Sequence, residues 1–138
     1  MEYILDSSVI FKWFSYENEE NVDKALSILD MYRENKLEII IPELVIYEVS
    51  NALRFNNNFS SIETRKIIST LINLELNVIG LNSKVIDSAI KIAYEENITI
   101  YDAVFISLSK IMKVPLISAN PRHHKVLKRG SIIPLEDF

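Results

Sequence analysis

Apolar positions along the chain follow two periods, and the switches between them outline the elements. Tyr3 to Leu5 is a short apolar run that stops at Asp6; Ser7, Ser8 and the apolar segment from Val9 to Phe14 follow, a strand, turn and helix pattern. Val22, Ala25, Leu26, Ile28, Leu29 and Tyr32 recur at three and four residues, which predicts an amphipathic helix from about Val22 to Arg33 with one buried face. Glu38 to Ile41 is a β-branched run that stops at Pro42. A proline needs no amide donor at the first turn of a helix, so Pro42 is expected to open the helix from about Glu43 to Phe55. The Asn56, Asn57, Asn58 run reads as a loop.

Further along, Ile62 to Leu74 is helical, Val78 to Leu81 a short strand, and Lys84 to Glu95 a helix with Val85, Ala89, Ile92 and Ala93 inward. Asp102 to Met112 is apolar almost all round, as a helix buried among others requires. Pro115 to Ser118 and Ile132 to Pro134 supply the last strands. Strands alternating with helices on this pattern predict an α/β fold, a three-layer α/β/α sandwich around a mainly parallel central sheet. No internal repeat and no low-complexity linker interrupts it, and 138 residues suffice for one continuous core, so a single domain over 1–138 is expected.

Composition narrows the chemistry. Hydrophobic residues make up 49% and charged residues 25%, which places the chain among globular proteins. It has no cysteine, so any metal must be held by oxygen or imidazole, and a cytoplasmic setting fits. Glu2 and Asp6 stand where a signal peptide would carry positive charge and an apolar run, and no stretch approaches the ~20 apolar residues of a membrane span. The net charge of −4 argues against nucleic-acid binding by bulk electrostatics alone. That objection weakens where the acids gather in a metal pocket with the bases beside it.

Three acids are candidates for such a pocket, and each has an ordinary structural alternative. Asp6 ends the first strand, where ligand sites of open α/β sheets gather, but Asp6, Ser7 or Ser8 can equally cap the following helix. Glu48 shares a helix face with Leu44, Val45 and Ala52. A carboxylate so placed needs a cation or donor, and Arg54 or Lys12 would serve as well as a metal. Asp102 opens the buried helix and reads as its N-cap, with Tyr101 packing on Ile106 as a hydrophobic staple. Convergence of the three on one site would suit Mg²⁺ or Mn²⁺, hard ions that take oxygen ligands.

The segments L-D-S-S-V-I-F-K-W-F at Leu5 to Phe14, P-E-L-V-I-Y-E-V-S-N-A-L at Pro42 to Leu53 and Y-D-A-V-F-I-S-L-S at Tyr101 to Ser109 together resemble the PIN-domain family, with the closest match to VapC-type toxins. The resemblance runs over nearly the full length. It implies a parallel sheet between helices and endonucleolytic cleavage of RNA with Mg²⁺ or Mn²⁺. It also implies a homodimer, and inhibition by a cognate VapB-type antitoxin, the pair forming a type II toxin–antitoxin system. Asp6, Glu48 and Asp102 match the family's metal-binding and catalytic acids, and Ser8 a small polar residue that supports the site. P-L-I-S-A-N at Pro115 to Asn120 resembles the strand that usually delivers a fourth acid; here Asn120 stands in its place, with Ser118 two residues before it. A three-acid site with weaker affinity for a second ion is expected.

The run R-H-H-K-V-L-K-R from Arg122 to Arg129 follows that strand, so Arg122, His123 and Lys125 are candidate RNA contacts; a solvated helix face is the alternative. Phe11, Trp13, Phe14 and Tyr16 cluster just after Asp6. They serve core packing, or in part a groove for an antitoxin segment, and Lys12 among them can reach the site or the substrate. Two rival functions stay open: a PIN-like module that only binds RNA or protein, and, more remotely, a phosphoacceptor receiver domain. The latter wants adjacent acids near the first strand, where Ser7 follows Asp6.

Overall fold

Both faces of the central strands are buried, and this sets the architecture. In β2 (Glu38–Pro42), consecutive residues Ile39, Ile40 and Ile41 point to opposite faces of the sheet, yet all three are inaccessible to solvent. A strand covered on both sides needs helices on both sides, the condition of a parallel sheet. The computed structural model describes residues 1–120 and 132–138. Five strands form one sheet, β1 (Glu2–Leu5), β2, β3 (Asn77–Ile79), β4 (Leu116–Ser118) and β5 (Ile132–Pro134), in the order β3-β2-β1-β4-β5. Every neighbouring pair is parallel.

Among the described residues the helices are α1 (Ser7–Phe11), α2 (Val22–Arg33), α3 (Leu44–Arg54), α4 (Ser61–Asn73), α5 (Ser83–Glu96) and α6 (Ile100–Met112). The helix α6 packs on β1, β2 and β4 with α5 against it, while α1, α3 and α4 pack in series. The boundaries of α2 are those the periodicity predicts, and Val85, Ala89, Ile92 and Ala93 of α5 face inward as expected. The buried apolar side chains form one cluster, from Ile4 to Leu135.

Two expectations change. Pro42 does not open α3; it is the last residue of β2, in register with Ile79, and α3 begins at Leu44 after Glu43. The ladder survives because the next residue takes over the bond, Glu43 N–H donating to the Ile79 carbonyl at 2.9 Å. Asp102 is not the N-cap of α6 either. Thr99 is, its hydroxyl accepting the Asp102 N–H at 3.1 Å, which moves the helix start upstream and puts Asp102 in its first turn. Tyr101 is largely exposed and not stapled inward.

Candidate active site

The strand order reverses beside β1: the chain lays β2 and β3 to one side and β4 and β5 to the other. At such a switch point the loops leaving the two central strands diverge and open a crevice at their carboxyl ends. Asp6 is the first residue beyond β1 and Ser118 the last of β4, with Leu5 and Ile117 in register between them.

Asp6 does cap α1, since its Oδ1 accepts the Ser8 N–H at 2.9 Å. Capping uses one side of one oxygen. The Ser8 hydroxyl donates to the same Oδ1, and the Ser118 hydroxyl donates to Oδ2. The proton positions follow from what the two serine oxygens accept: Ser8 Oγ takes the Ala119 N–H at 3.0 Å, and Ser118 Oγ takes the Asn120 N–H at 2.9 Å. Each hydroxyl therefore turns its own proton to the carboxylate. Asp6 is only 2% exposed, and burial of a carboxylate is tolerable when donors surround it in this way.

Glu48 stands midway along α3, which packs on α1. Its Oε1 accepts the Ser7 hydroxyl at 2.7 Å, so neither cation expected as its partner takes that role. Arg54 stacks over the Phe55 ring at 5.1 Å, and Lys12 pairs with Glu19 at 3.3 Å. Asp102 is 7% exposed on α6; with Thr99 serving as cap, the Asp102 side chain takes no part in closing the helix start.

These side chains meet at one cavity of about 370 Å³. Asp6, Ser7, Ser8, Lys12, Glu19, Glu48, Asp102 and Asn120 line it, with Phe11, Val49, Ala52, Phe105 and Ala119 as its apolar wall. Ser118 lies behind Asp6 and reaches the cavity through it. Among the described residues no three histidine, aspartate or glutamate side chains stand close enough to form a ready-made metal cage. The donor set nevertheless fits a hard divalent ion in kind. It offers carboxylate, carboxamide and hydroxyl oxygen without thiolate, around a space that accommodates several waters at ~30 Å³ each.

Of the other sequence candidates, Arg122, His123 and Lys125 lie outside the described residues. The aromatic cluster divides: Trp13 is buried with its indole N–H donating to the Ala25 carbonyl at 2.8 Å, Phe11 and Phe14 pack partly against the core, and Tyr16 is exposed. Ser7 and Glu19 were not singled out by the sequence. Ser7 was legible in principle, as the second residue of the Asp-Ser-Ser turn, whereas Glu19 reaches Lys12 from an irregular segment with no periodic signal. Among the described residues no helix is long and apolar enough to cross a membrane.

The fold is shared with solved structures over almost the whole chain. A chain of a toxin–antitoxin complex from Klebsiella pneumoniae superposes with a TM-score of 0.70 at 11% identity, covering 99% of each chain. VapBC2 from Rickettsia felis, bound to a DNA fragment from its promoter, gives 0.69 at 13% identity, over 97% of this chain and 98% of that one. FitAcB from Neisseria gonorrhoeae gives 0.72 at 12%, with 99% of each chain covered. Identities this low report a shared fold and assign no residue a role. No curated protein matches the chain. The family model of the PIN domain, however, matches residues 3–128, nearly the full length, and the chain is a member of the PIN domain family.

Proposed function

We propose that this protein is a divalent-metal-dependent endoribonuclease, a VapC-type toxin. The observation that carries the reading is the cavity at the switch point, where Asp6 from the end of β1, Glu48 from α3 and Asp102 from α6 line one wall system. Three acids from three elements line one cavity, and that concentration of negative charge favours a cation beside them.

Asp6, Glu48 and Asp102 would hold Mg²⁺ or Mn²⁺, with Asn120 offering a further oxygen. Such an ion, when bound, polarises a phosphodiester oxygen, lowers the pKa of a nearby water and offsets charge on the leaving group. The chain's own part is preorganisation. Ser8 and Ser118 fix both oxygens of Asp6, Ser7 fixes Glu48, and the apolar wall of Phe11, Val49 and Phe105 lowers the local dielectric.

The partners follow from the same reading: RNA as substrate, a VapB-type antitoxin as inhibitor and a second copy of the chain as dimer mate, in the cytoplasm. The match to chains from toxin–antitoxin complexes supports the antitoxin. Asn120 in the cavity wall supports a competing reading, a module that binds RNA or protein with weak or no turnover. Cleavage of RNA by wild type and by Asp6→Asn, Glu48→Gln and Asp102→Asn decides between them. Loss of Mn²⁺-dependent cleavage in all three supports the nuclease. Wild type that is stabilised by Mn²⁺ and binds RNA without cutting it would establish the binding module instead.

A further inference from the structure

Four of the charged side chains lining the cavity are carboxylates, Asp6, Glu19, Glu48 and Asp102, and among the described residues Lys12 is the single basic one. An RNA phosphate carries negative charge into that surrounding, and a divalent ion offsets only part of it. Lys12 is 6% exposed, and burying a lysine costs both side-chain freedom and hydration of the ammonium. A methionine or leucine would fill the same volume more cheaply, so packing alone does not account for it. The ammonium has three N–H donors and among the described residues makes one hydrogen bond, to Glu19 Oε2 at 3.3 Å, a long contact for an ion pair.

The two partners are held unequally. Lys12 closes the end of α1 and lies between Phe11 and the buried Trp13. Glu19 belongs to the irregular segment between α1 and α2, between Asn18 and Asn21, both at positive φ, and its side chain is 24% exposed against 7% for Lys12. Rotation of Glu19 into solvent therefore leaves the ammonium in place. Both residues also line a neighbouring cavity of about 460 Å³, with Asn18, Glu20, Asn21 and Glu136, so the pair stands where two hollows meet.

We propose that Lys12 is the phosphate-binding cation of this site and that Glu19 is its exchangeable counter-ion, displaced from the Lys12 ammonium when an RNA phosphate enters. The inference rests on the nuclease reading above and adds to it the residue that binds the substrate's charge and the one that sets its availability. An ion pair that merely fastened α1 to the next segment would respond in the same direction to loss of either partner. A phosphate site with a competing counter-ion responds in opposite directions.

The test is cleavage of a labelled single-stranded RNA of mixed sequence in Mn²⁺ by wild type, Lys12→Met, Lys12→Arg and Glu19→Gln, with Mn²⁺-dependent thermal stabilisation measured on each. Lys12→Met is expected to lower kcat/KM on the order of ten-fold or more, the size of one charge-assisted hydrogen bond, while its stabilisation by Mn²⁺ is retained. Lys12→Arg is expected to recover most of the loss, and Glu19→Gln to lower KM several-fold. Equal activity of Lys12→Met and wild type, or shifts of Lys12→Met and Glu19→Gln in the same direction, would overturn the inference and leave the nuclease reading standing. Wild type that cuts no RNA in Mn²⁺ would overturn both. Should Lys12→Met melt too low to assay, Glu19→Gln decides: a lowered KM supports the exchange, an unchanged or raised one refutes it.

Discussion

Ser118 donates its hydroxyl to Asp6 Oδ2 although the two residues stand 112 positions apart in the chain. They meet because β4 lies directly beside β1, and Ser8 completes the grip on the other carboxylate oxygen. Asp6 thus has its orientation fixed by protein donors in advance of any ion. Replacing Ser118 by alanine leaves a buried carboxylate oxygen short of a donor. Ser118→Ala is expected to cost about 1–3 kcal/mol of stability and on the order of ten-fold in metal affinity. Trp13, the one tryptophan of the chain and a buried one, gives the fluorescence signal for both urea unfolding and Mn²⁺ titration. A variant as stable and as responsive to Mn²⁺ as wild type would show that the serine is incidental.

Thr99 provides a second, separable test of how the site is held. Its hydroxyl accepts the Asp102 N–H, and the backbone it fixes is the backbone that carries the Asp102 carboxylate. Thr99→Ala is expected to destabilise by about 1 kcal/mol, the usual worth of an N-cap. Thr99→Ser keeps the acceptor and should restore both stability and cleavage. Equal stability of Thr99→Ala and wild type in urea would mean that water replaces the cap without loss.

Tyr32 carries the pH dependence that can be read from the structure. Burial, and after it the charges of Glu38 and Glu75, push its phenol above the ordinary value of 10.0. The hydroxyl donates to the Leu74 carbonyl at 2.8 Å and more weakly to that of Glu75 at 3.2 Å, tying α2 to the end of α4. The folded state binds this proton more tightly than the unfolded one. Its contribution is therefore complete below the unfolded pKa and is lost as pH rises through the higher folded value. Tyr32→Phe should lower stability by about 1 kcal/mol near neutrality, and the gap to wild type should narrow above pH ~10. A gap that is constant from neutral to alkaline pH would remove Tyr32 from the account.

The fold was legible wherever burial imposes a period. The α2 boundaries and the inward face of α5 follow from apolar spacing of three and four, and the parallel sheet from β-branched runs between helices. Local rules competed at Pro42 and Asp102. A proline before a helix suggests its first turn, yet pairing with β3 claimed Pro42; an acid before an apolar run suggests a cap, yet Thr99, three residues upstream, was the better one. The acids of the candidate site and the supporting Ser8 could be named from the sequence and the family resemblance, but the bonds that hold the acids could not. Ser7 to Glu48, Ser118 to Asp6 and Ala119 to Ser8 span 41, 112 and 111 residues. Such bonds exist only once the strand order is set, and a strand order is not written in any local pattern.

Asn120 puts the charge of the cavity itself to the test. It lines the cavity with the three acids, and its backbone N–H donates to the Ser118 hydroxyl oxygen. Asn120→Asp therefore adds a carboxylate without disturbing that bond. Without metal, one more negative charge among Asp6, Glu48 and Asp102 should lower the melting temperature, because like charges in a part-buried cavity repel. With Mn²⁺ the sign should reverse. A ten-fold gain in affinity adds about 1.4 kcal/mol of stabilisation at saturating ion, and room for a second ion should raise the stoichiometry measured by calorimetry. Melting of both proteins in chelator and in Mn²⁺ separates the two effects. A variant that melts lower than wild type in chelator and lower still in Mn²⁺ would mean that the fourth position does not face the ion.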